Sequence, residues 1–132
     1  MRLKKQLGQN FLVDKNIIKK IIKFIKPNKT DSMVEIGPGD GALTKYICSE
    51  VDNLMIIEKD PNLIDRLNLL VSNYENTRIH NTDVLKFNFS SIASEMRIIG
   101  NLPYNISTEI IFKLCKIQNI IDMHFMLQKE VV

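Results

Sequence analysis

The sequence predicts an α/β fold, a doubly wound and mostly parallel sheet, and three observations carry that prediction. From Ser32 onward, short apolar runs of strand length alternate with longer stretches whose apolar residues recur at helical spacing. Strands separated by helices must run parallel and be covered on both faces. The first strand-like run exits into a glycine-rich turn, "GPGDG" (37–41), and later ones exit into acids or an amide. In an open parallel sheet those exits are where ligands bind. Finally, 132 residues without an internal repeat or low-complexity linker make one domain with a real core, not two full ones.

The elements follow in order. "LGQNFLVD" (7–14) is irregular and ends in Asp14, an N-cap residue. Ile17, Ile18, Ile21, Ile22 and Ile25 then form one helical stripe opposite the lysines, and Pro27, Asn28 and Lys29 stop that helix. "SMVEI" is the first strand, and "ALTKYICSEV" after the glycines is helical. "LMIIE" is the second strand. Asp60 and Pro61 are an N-cap and first-turn pair for a helix whose Leu63, Ile64, Leu67, Leu70 and Val71 share a face. "RIHNTD" and "RIIGN" are the third and fourth strands. "STEIIFKLCKI" is a helix with Ile110, Ile111 and Leu114 inward, and "MHFMLQK" is the fifth strand. A doubly wound sheet that stops there is expected to be truncated at its C-terminal end.

Composition narrows the class. The chain is 45% hydrophobic and 25% charged, ordinary for a soluble globular protein. It shows no apolar run of membrane-span length and no signal-peptide core, and a cytoplasmic location is expected. Cys48 and Cys115 are isolated and read as buried free thiols. His80 and His124 are isolated too and read as structural, so no metal site is expected. The net charge of +3 hides an asymmetry. Residues 1–29 hold nine Lys or Arg against one acid, whereas the remainder holds nine basic and fourteen acidic residues. A basic head on an acidic body fits either a polyanionic partner met at one end or a solvated lysine-rich helix face. The organisation expected is a basic N-terminal segment and helix at 1–29, followed by a ligand-binding core at 30–132.

Candidate site residues sit at successive strand exits. Gly37, Gly39 and Gly41 let backbone pass close beneath a ligand. Their spacing, G-x-G-x-G, lacks the last glycine of the dinucleotide fingerprint, and a tight structural turn is the alternative. Glu58, at the end of the second strand, can accept both hydroxyl protons of a ribose, as a nicotinamide cofactor or S-adenosylmethionine (AdoMet) requires. Asp83 follows the third strand and can accept from an adenine amine; alone, it is a turn residue. The fourth strand runs into Asn101, Leu102, Pro103 and Tyr104. The Asn101 side-chain oxygen and the Leu102 carbonyl could accept the two hydrogens of an exocyclic amine. Pro103 forces Leu102 into extended geometry, which aims that carbonyl. Tyr104 offers a face for an unstacked base, worth about 1–3 kcal/mol. Together the four residues read as a base clamp. The bland alternative is a proline turn with a packed tyrosine.

With these residues in view, "LGQNFLVD", "VEIGPGDGALT", "IEKD", "TDVL", "NLPYNIST" and "MLQKEVV" resemble, in order, the motifs of the KsgA-type small-subunit ribosomal RNA adenine dimethyltransferases. The resemblance implies a Rossmann-like AdoMet-dependent methyltransferase fold. It implies dimethylation of N6 on two adjacent adenosines near the 3′ end of small-subunit (16S) rRNA, within the immature 30S particle, during ribosome biogenesis. It also implies cofactor contacts at Asn10, Leu12, Gly37, Glu58, Asp83 and Asn101, and a target-adenine clamp at Asn101–Tyr104. Asn10 and Leu12 are unremarkable without it. Leu102 and Pro38 favour the small-subunit enzymes over their macrolide-resistance relatives. Members of that family continue beyond this chain's length with a helical domain that helps hold RNA, and the whole protein is expected to be monomeric. Two other readings stay open: an assembly factor that binds immature rRNA with little use of its chemistry, and a nicotinamide-dependent dehydrogenase, which leaves Asn101–Tyr104 unexplained.

Overall fold

The computed structural model describes residues 14–128. Five strands, β1 (Ser32–Ile36), β2 (Asn53–Glu58), β3 (Thr77–Asn81), β4 (Met96–Pro103) and β5 (Ile120–Gln128), pair side by side in the order β3-β2-β1-β4-β5. Every pairing is parallel. The order reverses between β1 and β4, which is the switch point where open α/β sheets bind ligands.

Side chains alternate faces along each strand and build two cores. On one face Met33, Leu54, Ile56 and Ile99 pack with Ile18 and Ile25 of helix α1 (Lys15–Ile25) and Leu67 of α3 (Pro61–Leu70). On the other, Val34, Ile36, Ile57 and Ile98 pack with Phe89 and with Ile110 and Leu114 of α4 (Tyr104–Cys115).

The helix ends follow from local chemistry. Asp14 caps α1, its carboxylate accepting from the Asn16 N–H at 2.9 Å, and Lys26 ends it in a left-handed conformation with φ 52°. Asp60 caps α3 by accepting from the Asn62 N–H at 2.9 Å, with Pro61 in the first turn. The Arg97 guanidinium ties the end of α1 to the base of the sheet. It donates to the carbonyls of Ile25 and Lys26, and pairs with Asp31 at 2.7 Å and Asp122 at 3.0 Å.

Four expectations need correction. The stretch after the glycines is α-helical only as α2, Thr44–Ile47. There the Tyr46 N–H bonds three residues back and the Ile47 N–H four back, both to Leu43, so regular geometry does not extend over the whole segment. Cys48 is buried as expected, but Cys115 is exposed, because it lies one residue past the inward Leu114 on α4. Ile111 is only half-buried, for the same rotational reason. Finally, "NLPY" is no separate turn: β4 runs on through Pro103 and α4 begins at Tyr104. Pairing with β5 extends that far, Pro103 lying opposite Gln128, and it sustains the strand.

No helix among the described residues is long and apolar enough to cross a membrane.

Candidate active site

The carboxyl ends of β3, β2, β1 and β4 adjoin in that order, and each carries candidate residues. Asp83 follows β3, Glu58 ends β2, Gly37 follows β1, and Asn101 lies in the last turn-out of β4. At the usual spacing between strands the row is about 14 Å long. The structure therefore brings together the residues picked from separate motifs. Asn10 and Leu12 lie outside the described residues.

The centre of the row is the close approach of β1 and β4. Gly37, Gly39 and Gly41 all have positive φ, at 65°, 61° and 90°. At Gly37 a second constraint applies, since a Cβ there would stand 2.9 Å from the Asn101 carbonyl oxygen. Gly100 is constrained from the other side: its Cβ would meet the Ile36 carbonyl oxygen at 2.9 Å. Two glycines thus let the glycine turn lie directly against the strand that carries Asn101. The Gly37 N–H is used structurally, donating to the Ile57 carbonyl at 3.0 Å.

Asn101 has the most telling environment. Its Oδ1 is buried and has no hydrogen-bond partner among the described residues. An unpaired buried oxygen costs about 1–3 kcal/mol, a cost that a donor on a ligand would offset. Leu102 is buried in the second core, which anchors the strand beneath. Pro103 is exposed, and Tyr104 is 63% exposed, so its ring is free to meet a ligand. It is not the packed tyrosine of a plain proline turn.

Glu58 is buried at 7% exposure, and one carboxylate oxygen accepts from the Asp60 N–H at 2.8 Å. That bond fixes its orientation and leaves the other oxygen for a ligand. The segment after β3 is pinned beside it: the Thr82 N–H donates to the Glu58 carbonyl at 3.1 Å, and Asn81 Nδ2 donates to the same carbonyl at 2.9 Å. Asp83 Oδ1 accepts from the Leu85 N–H at 3.0 Å, and its Oδ2 stands 3.9 Å from Lys59 Nζ. Lys59 is 80% exposed there, so this pair is weak.

Sequence reasoning missed Glu35. It lies on β1 beneath the glycine turn, 2% exposed, and Thr44 Oγ1 donates to it at 2.5 Å. Burial pushes its carboxyl up to about 7, the Thr44 hydrogen bond opposes this, and the charge of Glu58 adds to it. A lone acid within an apolar strand was the available signal, since such a residue is buried only with a partner or a proton. His80 packs edge-on to Phe87 with ring centroids 5.4 Å apart, and its Nε2 is also buried without a partner. His124 lies 3.3 Å from Asp122 and edge-on to Phe24.

The donor set fits AdoMet. An ionisable acid for a ribose, a second acid one strand further, and a backbone cradle that a Cβ at Gly37 would fill lie in one row, ending at an orphaned acceptor.

The family model described as ribosomal RNA adenine dimethylase matches residues 1–132. Curated relatives from Coxiella burnetii and Francisella tularensis, both called ribosomal RNA small subunit methyltransferase A, are each 49% identical to this chain. The alignments cover 100% and 99% of this chain and 52% of the relatives, so the chain spans about half the length of the curated relatives it matches. Among solved structures, a dimethyladenosine transferase from Plasmodium falciparum is similar with TM-score 0.75 and 29% identity, over 86% of this chain and 42% of that one. The 23S rRNA methyltransferase ErmE shares the fold, with TM-score 0.74 and 24% identity over 81% of this chain and 43% of its own. The Rossmann-like sheet, the order of its site-bearing exits and the match along every residue lead to one conclusion: the chain belongs to the ribosomal RNA adenine dimethylase family.

Proposed function

We propose that this chain is the cofactor-binding core of an AdoMet-dependent methyltransferase that dimethylates N6 of two adjacent adenosines near the 3′ end of 16S rRNA. The reading includes action on the immature 30S particle in the cytoplasm, by a monomeric protein. The observation that carries it is the buried Asn101 Oδ1, without a partner among the described residues and set against a glycine turn at the switch point of the sheet.

In this reading the row of exits holds AdoMet from one end to the other. Asp83 accepts from the adenine 6-amine, Glu58 takes the ribose hydroxyls, and Gly37, Gly39 and Gly41 pass beneath the amino-acid portion. Asn10 and Leu12 complete the cofactor contacts. When bound, the cofactor supplies an electrophilic methyl on a sulfonium.

The chain's own task is to hold the target amine. The lone pair of an adenine 6-amine is delocalised into the ring, so the nitrogen attacks only if it becomes tetrahedral. Asn101 Oδ1 and the Leu102 carbonyl each accept one amine hydrogen and hold the nitrogen in that geometry. Pro103 keeps Leu102 extended, and the exposed Tyr104 ring stacks on the base. No strong general base is required: the nitrogen becomes acidic as its new bond forms and loses its proton to water. Alignment carries most of the rate.

Residues 1–29 act as the RNA-facing segment and 30–132 as the core. Lys15, Lys19 and Lys23 are exposed on one side of α1, and none forms an ion pair among the described residues. Like charges at such spacing weaken a helix by about 0.2–0.5 kcal/mol per pair, a cost that a polyanion offsets.

The test is calorimetric titration of AdoMet into the protein, with Glu58→Ala and Asp83→Ala as variants and NAD as competitor. Binding weakened at least about tenfold by each substitution, and undisturbed by NAD, is expected. Absence of AdoMet binding both in this chain and in the longer protein refutes the reading.

A further inference from the structure

The turn that carries Asp83 is held at its far end by a residue outside every motif that points to the site. Residues 83–87 form a single helical turn. The Lys86 and Phe87 N–H groups donate to the Asp83 carbonyl at 2.9 and 3.1 Å, and the Asp83 carboxylate caps the turn through the Leu85 N–H at 3.0 Å. So short a turn leaves its last carbonyls poorly satisfied: within it Val84 accepts only the long 3.3 Å bond from the Phe87 N–H, which the Asp83 carbonyl shares. Lys113, in the final turn of α4, reaches across to them. Its Nζ donates to the carbonyls of Val84, Leu85 and Phe87 at 2.9, 2.7 and 2.7 Å. An ammonium has three N–H donors, and all three go to this one turn. The same Nζ lies 5.5 Å from the centroid of the Phe89 ring.

A lysine that merely fastened a surface loop would keep its charge in water. This one is half-buried, and burial lowers its pKa from the ordinary lysine value while the charge of Asp83 pulls the other way. The desolvation is accepted for three neutral carbonyls and no carboxylate. What those carbonyls share is the turn that begins at Asp83.

We infer that Lys113 is a positioning residue for the cofactor: by capping the far end of the 83–87 turn, it fixes the direction in which Asp83 presents its second carboxylate oxygen. The inference rests on Asp83 being the acceptor for the adenine 6-amine. Asp83 Oδ1 is already engaged by the Leu85 N–H, so Oδ2 is the oxygen at issue. The exposed Lys59, 3.9 Å away, is too loosely held to orient it. The rigid support is the backbone turn, and Lys113 closes it. The helix that supplies Lys113 begins at Tyr104, so one rigid element carries the clamp's tyrosine at one end and this cap at the other.

Two ligands test this in calorimetric titrations of the whole protein: S-adenosylhomocysteine and its inosyl analogue, in which a carbonyl replaces the 6-amine. Asp83→Ala calibrates the pair, and is expected to weaken the adenosyl ligand about tenfold and the inosyl ligand little. Lys113→Met is expected to reproduce that selective loss. Lys113→Arg keeps the charge but offers a planar fork instead of a tripod, and is expected to lose about two- to threefold on the adenosyl ligand alone. Should Lys113→Met fail to fold, the arginine variant carries the test by the same selectivity. Equal weakening of both ligands by the Lys113 variants, or no weakening of either, overturns the inference while Asp83 keeps its role. Equal weakening of both ligands by Asp83→Ala removes the role of Asp83, and the inference falls with it.

Discussion

Replacing Asn101 with alanine is expected to abolish methyl transfer without lowering stability. Asn101 Oδ1 is buried and has no partner among the described residues, and such an oxygen costs about 1–3 kcal/mol in the folded state. Alanine removes that cost together with the packing of the small amide group, a loss of about 1 kcal/mol. The net change is a gain of about 1 kcal/mol, or about 4 °C in Tm for a domain of this size. Transfer loses an acceptor aimed at the reacting nitrogen, and groups that act at that point contribute about a hundred- to a thousandfold. Thermal unfolding followed by circular dichroism measures the first effect. Transfer of labelled methyl to unmethylated small-subunit rRNA by the longer protein measures the second. A fall in Tm of about 4 °C or more would mean that the oxygen is paired in the folded protein. Transfer within about tenfold of the parent would remove Asn101 from the clamp.

Gly37→Ala places a Cβ at φ 65° and 2.9 Å from the Asn101 carbonyl. A loss of about 2 kcal/mol in urea unfolding is expected, with weakened AdoMet binding. Gly39→Ala is the control, because nothing lies within 4 Å of its Cβ and only the backbone strain applies. Equal effects from the two would refute the close approach. Glu35, with its carboxyl raised from 4.5 to about 7, stays protonated in the folded chain where the unfolded chain has already released its proton. Its contribution is therefore full below pH 4.5 and is lost as pH rises through about 7. Glu35→Gln, which still accepts from Thr44, is expected to flatten stability against pH across that window; an unchanged slope would show that Glu35 titrates normally. Finally, Lys19→Gln and Lys23→Gln are each expected to reduce the slope of log affinity for rRNA against log salt by about 1. Unchanged slopes would mean that the α1 lysines are solvated and meet no phosphate.

Much of this protein is legible in local chemistry. Asp14 and Asp60 cap their helices because a short carboxylate satisfies free N–H groups within its own turn. The isoleucine stripe of α1 and the apolar strands declare which faces are covered. Glycines, Glu58, Asp83 and Asn101 could be found in chain order because each lies at or just past the end of a strand, and parallel strands bring those ends to one edge. What local chemistry does not contain is adjacency. Gly37 and Asn101 are far apart in sequence, and only the order β3-β2-β1-β4-β5 sets one against the other. The end of β4 is likewise set by its partner: Asn101–Pro103 are strand because β5 extends beside them, whatever the proline implies by itself. Cys115 is exposed because of helix rotation, a property of how α4 lies on the sheet. Glu35 and Lys113 became visible as a buried acid and a three-way cap only once burial and long-range hydrogen bonds were known. The sequence by itself determined the order of the elements, the caps at Asp14 and Asp60 and the candidate residues for a nucleoside cofactor, because those depend on neighbours along the chain. The tertiary structure alone decided which of them touch and which polar atoms are left without partners, because contact and desolvation are properties of packing.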